Sequence, residues 1–217
     1  MNESRLERIS LLTGAVAVVI MIIGVLLFNF YEFLPPAEKL ASFLQTNAPS
    51  VYTGGYISAL SSFLLIWFTG SVRTVLAEDE GGTGHLSGIA YGGGIAAAVA
   101  SGISFVGIFA TGLRAGAPGG ITAIGAITMY DFWTQLSGQL FGIFMAVFIS
   151  ATAILILRKG IMPTWFGWVS LIVALGLLTP FAYAVLGLAL LWLVTVSIWL
   201  YTRSAFLRES GEVTVPA

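Results

Sequence analysis

The sequence predicts an all-α integral membrane protein, a six-helix transmembrane bundle with both termini in the cytoplasm. Three observations carry that expectation. Of 217 residues, 58% are hydrophobic and only 9% are charged, where a soluble domain carries roughly a quarter charged. The mean hydropathy is +0.97, which leaves more apolar surface than one core can hide, so lipid is the solvent that suits the chain. The charges fall between uncharged stretches, each about the 20 residues that a helix needs to cross a hydrocarbon core of roughly 30 Å.

The first span is expected over 9–30. Arg5 and Arg8 precede it as in a signal peptide, but the apolar run is too long and no small-residue cleavage site follows, so it reads as an uncleaved anchor. Tyr31 to Ser50 forms an outer loop. Within it, Pro36 to Gln45 suits a short interfacial helix: proline fits the first turn, and Leu40, Phe43 and Leu44 share a face. The second span, 52–72, stops at Arg73, and the hydrophilic Ala77 to Gly84 makes a turn whose carboxylates stay solvated. The third is 86–112. The fourth, 132–157, is closed by Arg158 and Lys159.

No charge lies between Lys159 and Arg203, a stretch too long for one helix. Thr179-Pro180 is the natural break, since proline disfavours helix at the residue before it. The fifth span is then 164–178 and the sixth 181–201, with a cytoplasmic tail over 202–217. Ala115 to Tyr130 is an apolar, glycine-rich outer segment with three possible courses. It lies along the interface, extends the fourth helix outward, or dips into the membrane.

Orientation follows from the basic residues. With six spans, Arg5, Arg8, Arg73, Arg158, Lys159, Arg203 and Arg208 fall on one side, and Lys39 and Arg114 on the other. Seven against two places the first group inside. Tyr31, Tyr52, Tyr130 and Trp133 then mark the outer boundary, and Trp165, Trp168, Trp199 and Tyr201 the inner one, as interfacial anchors do.

Several chemistries are excluded by residue type. The chain has no cysteine and one histidine, His85, so disulfides, thiolate metal sites, multi-histidine zinc and paired-histidine haem ligation are out. No catalytic residue, metal site or cofactor is expected. A net charge of -1 gives no reason to expect nucleic acid as a partner. His85 reads as an interfacial helix-end residue. Glu78, Asp79 and Glu80 read as a solvated turn, since no calcium-loop spacing surrounds them.

Two constellations remain. Ala90, Gly94, Ala98 and Gly102 recur every four residues in the third span, the pattern that lets membrane helices approach closely. They serve packing within the bundle or form a homodimer face. Asp131, Gln135 and Gln139 recur every four residues on the outer half of the fourth span, with Trp133 and Ser137 pointing elsewhere. Polar groups in membrane helices are costly, so this stripe is expected to face the bundle or a hydrated cavity. It serves as an interhelical clamp, with Asp131 paired to Arg114, or as a polar lining for a solute or headgroup. Ser58, Ser61 and Ser62 share a face of the second span and offer the opposite wall, with Tyr56 at its edge.

Gly160-Ile161-Met162-Pro163-Thr164-Trp165-Phe166-Gly167-Trp168, a helix start after a basic turn, and Ala59 to Leu76, an apolar helix with Trp67-Phe68 ending in Arg73, resemble a broad group of bacterial polytopic membrane proteins known as a domain of unknown function. The resemblance implies a bacterial plasma-membrane location and the same span layout, and carries no active site. The functional expectation is a non-enzymatic accessory or structural subunit, or a lipid-interacting module, in contact with the bilayer and with a second copy or a membrane partner. The alternative is a small solute channel or transporter that uses the polar stripe.

Overall fold

The computed structural model describes residues 9–28 and 35–209, and these contain helix and no strand. The expected roles of Arg5, Arg8, Tyr31, the Arg208 side chain and the last eight residues lie outside what is described. Eight α-helices are described: α1 (Thr13–Phe28), α2 (Ala37–Thr46), α3 (Ala48–Glu80), α4 (His85–Gly116), α5 (Ala123–Gln135), α6 (Phe141–Lys159), α7 (Thr164–Leu177) and α8 (Ala182–Glu209). A π-helical turn, Leu136–Leu140, joins α5 to α6 without a break.

Five helical stretches are long and apolar enough to cross a membrane: Ile9–Phe28, Ala48–Glu80, His85–Gly116, Ala123–Lys159 and Ala182–Arg203. They mark the chain as an integral membrane protein. The sixth apolar helix, α7, has 14 residues, about 21 Å at 1.5 Å per residue, short of a full hydrocarbon core. Large apolar side chains such as Leu26, Phe63 and Ile172, each 60% exposed or more, coat the outside of the bundle, where lipid and not water suits them.

Helix boundaries follow local chemistry. Pro36 precedes α2 and Pro49 sits in the first turn of α3, where a missing N–H costs nothing. Helix α3 runs past the expected stop at Arg73 to Glu80, and Gly81, Gly82 and Gly84 then take positive φ (66°, 63° and 63°) to reverse the chain. The acidic turn is more than a solvated one. Glu80 accepts the N–H groups of Leu86 and Ser87 at 2.8 Å each, capping the start of α4. Asp79 receives Arg203 through two hydrogen bonds, 2.6 and 3.0 Å, tying α3 to α8 across 124 residues. His85 is exposed at the first turn of α4.

Helix α1 packs on α3, α3 on α4, α4 on α6 and α6 on α7. Helix α8 touches α7 and returns to α1, where Ser197 Oγ donates to Leu11 O at 2.5 Å and accepts the Ala15 N–H at 3.2 Å. The main core holds an aromatic relay: Phe68 meets Phe148 and Phe148 meets Trp192, both at 82°. Trp192 Nε1 donates to Ser170 Oγ at 2.8 Å, so the one polar atom of that ring is satisfied where it is buried.

Helices α3 and α4 meet in a close seam. A Cβ on Gly55 would lie 2.6 Å from Phe109 N, and one on Gly112 2.6 Å from Tyr52 N, so the backbones touch as small-residue stripes allow. Ala90 and Ala98 are buried in α4, while Gly94 faces Thr69 and Gly102 faces Ser62 of α3. The stripe is therefore occupied within the chain.

A second, smaller core caps one end. Leu40, Ala41 and Leu44 of α2 bury against Ala115 at the end of α4, Ile121 of the connection and Ala126 at the start of α5. Gln45 Nε2 donates to Ile121 O at 2.9 Å, fixing α2 across that end.

Candidate functional site

Between the cap and the main core lies a cavity of about 320 Å³, walled by α1 to α6 and α8, within the usual size range of ligand pockets. Its surface is carbon-rich: Met21, Val25, Leu40, Phe105 and Leu186 come from four helices, and no charged side chain lines it. The cap end of α5 and the π-turn supply Tyr130, Trp133, Thr134 and Ser137. These positions, at spacings of three and four, form one helix face.

The π-turn shapes this wall. Widening the helix disturbs the regular ladder, and π-turns recur at functional sites for that reason. Thr134 O, beside it, accepts Ser137 Oγ at 3.0 Å and also the Tyr183 hydroxyl. Ser104 Oγ donates to Trp133 O at 2.8 Å from α4. These polar atoms of the wall thus bond one another, as buried polar groups must. The Thr134, Ser137 and Tyr183 hydroxyls are therefore engaged with backbone carbonyls.

The sequence-predicted site is placed otherwise. Asp131 and Gln135 are exposed on the opposite face of α5, and Gln139 is half-buried with its Nε2 donating to Pro180 O at 3.0 Å. Asp131 forms no ion pair with Arg114. Ser58, Ser61 and Ser62 are buried on α3, which does not pack on α5. Ser61 Oγ donates to Ser58 O at 2.6 Å, Ser58 makes a long 3.4 Å contact to Met21 O, and Ser62 Oγ has no partner among the described residues. Tyr56 is exposed and stacks on Phe109 at 5.9 Å. The two polar groups are not brought together.

The residues that do line the cavity include Trp133 and Ser137, the pair that the sequence set aside. Their signal was the apolar and aromatic run Tyr130, Trp133, Ser137, Phe141, readable as one inward face. The ambiguous segment before them is helical from Ala123 and continuous with the fourth predicted helix. Among the described residues, no group of three or more His, Asp or Glu side chains gathers to hold a metal ion.

No protein-family model, curated protein or solved structure matches the chain.

Proposed function

We propose that this protein is a non-enzymatic, lipid-interacting membrane module that holds one apolar chain in the cavity beneath α2. The observation that carries the reading is the cavity itself: about 320 Å³, walls mostly of carbon, and the Thr111, Thr134, Ser137 and Tyr183 hydroxyls bonded to backbone carbonyls. An acyl chain needs dispersion contact and no polar partner. A solute path needs polar groups facing the hollow, and the Asp131, Gln135 and Gln139 stripe does not face it, so nothing in this geometry favours the channel alternative.

The same reading takes six spans, with α7 as a short fifth crossing, and places both termini in the cytoplasm of a plasma membrane. Supporting it are the basic bias in the sequence and the alternation of the helix ends. The Asp79–Arg203 pair and the Glu80 cap share one end with Lys159 and Trp165, and the α2 cap closes the other.

The experiment is ligand-linked stability. A ligand that binds only the folded state raises the unfolding midpoint by mass action. Adding phospholipid to delipidated protein is expected to raise the midpoint of the wild type and to leave Ser101→Phe and Leu186→Trp, which fill the cavity, unmoved. An equal rise in all three overturns the reading.

A further inference from the structure

The cavity beneath α2 has a floor as well as walls. Its lining residues farthest from the cap are Met21 on α1, Ser101 on α4, Phe141 on α6 and Leu190 on α8. Ser101 brings the one hydroxyl of this group. Along α4 it stands about 15 Å deeper than Thr111, at a rise of about 1.5 Å per residue.

Hydroxyls nearer the cap turn back on their own helices. Thr111 Oγ1 donates to Gly107 O at 2.8 Å, Thr134 Oγ1 to Tyr130 O at 2.7 Å and Ser137 Oγ to Thr134 O at 3.0 Å. Ser101 makes no such bond and has no hydrogen-bond partner among the described residues. It is only 3% exposed. Yet it is not among the unpartnered polar atoms sealed from all space, which are Ser62 Oγ and Trp133 Nε1. The small surface that its Oγ keeps therefore opens on the hollow that it lines.

Close packing does not call for an oxygen at this position. Alanine is as small and favours helix more, and α4 uses it nearby at Ala97, Ala98 and Ala100. Water fits poorly too, since a water in a cavity needs several polar neighbours and the floor offers one. A buried hydroxyl left unpaired is destabilising, so the partner that suits Ser101 is one carried in by the occupant.

We propose that the cavity selects an aliphatic chain bearing a hydroxyl at its deep end, which exchanges a hydrogen bond with Ser101 Oγ. The group is uncharged, because no charged side chain lines the hollow and an ion buried without a counter-charge is strongly disfavoured. A plain acyl chain fills the same space but sets a methyl group against Ser101. A long-chain alcohol entering oxygen-first supplies the hydroxyl, and so does a membrane lipid whose chain ends in one. The proposal rests on the acyl-chain reading of the cavity and adds the chemistry at the deep end of that chain.

The test compares the full wild-type chain with Ser101→Ala, both delipidated in digitonin. Each is offered equal amounts of dodecanol, a chain of about the cavity's depth, and tridecane, in which a methyl replaces the hydroxyl. Retained ligand is extracted and quantified by gas chromatography. The dodecanol-to-tridecane ratio is expected to be about fivefold higher on the wild type, the worth of one buried neutral hydrogen bond. The ligand-free thermal midpoint of Ser101→Ala should equal or exceed that of the wild type, so that a changed ratio does not report a damaged fold. A second arm offers phosphatidylcholine with and without a hydroxyl at the end of one chain, read by mass spectrometry. A preference that Ser101→Ala abolishes assigns a free alcohol if it appears in the first arm and a membrane lipid if it appears only in the second. Ratios that are equal on the wild type and Ser101→Ala in both arms overturn the hydroxyl site and spare the chain reading. Retention of none of the four probes by the wild type overturns both.

Discussion

At the scale of single residues, space decides which glycines matter. Gly92, Gly93 and Gly94 are consecutive, yet a Cβ on Gly92 meets nothing within 4 Å and one on Gly93 lies 2.8 Å from Phe148 N. Gly55 is as tight, against Phe109 N. Backbone cannot yield as a flexible side chain can. Gly93→Ala and Gly55→Ala should therefore each lower stability by about 1–3 kcal/mol, read as a drop in the thermal midpoint in detergent. Gly92→Ala should leave it unchanged or raise it, since alanine gains up to about 1 kcal/mol of helix propensity over glycine. Equal losses at Gly92 and Gly93 would contradict the packing described. The four-residue spacing made the α4 stripe legible in the sequence. Its partners on α3, Thr69 against Gly94 and Ser62 against Gly102, were not read as such: the Ser62 hydroxyl suggested a polar wall where small size was the relevant property.

At the scale of elements, helix ends carry the electrostatics. Glu80 stands in the polar turn that leaves the apolar stretch of α3. Burial tends to raise its carboxyl, yet the N–H groups of Ser87 and Leu86 that it accepts hold it below its ordinary value. A depressed carboxyl contributes stability above its unfolded value and loses it as pH falls through the folded one, so Glu80→Gln should flatten the acid limb of a stability profile. The Asp79–Arg203 pair is partly exposed, its side chains at 24% and 30%. A double-mutant cycle with Asp79→Asn and Arg203→Gln should return a coupling of about 0.5–1 kcal/mol. That coupling should shrink with added salt, and one insensitive to salt would mean that the pair acts through packing. Neither contact was legible from composition, because both depend on how α3, α4 and α8 meet at one end. The fourth span shows the same limit. Its period of four was read correctly, and the inward face was assigned to the wrong side. Asp131 and Gln135 are exposed on the face of α5 that turns away from the cavity.

At the scale of the whole molecule, hydropathy and charge made the membrane class and most helices legible, because solvent sorts residues over stretches of about 20. The cavity was not legible, since it arises where the α2 cap, the α5–α6 face and the start of α8 fail to fill one volume. Topology is testable without removing native thiols, because the chain has no cysteine. An impermeant maleimide added to intact cells should label Lys39→Cys and Thr122→Cys. Glu78→Cys and Lys159→Cys should react only after permeabilisation; the reverse pattern would invert the orientation, and a mixed one would change the span count.

The central claim is an acyl chain beneath α2. Native mass spectrometry of the protein extracted gently from its own membrane tests it most directly. One retained lipid per chain is expected in the wild type and none in Ser101→Phe or Leu186→Trp. A wild type that emerges bare, or variants that retain the lipid as well as it does, would contradict it.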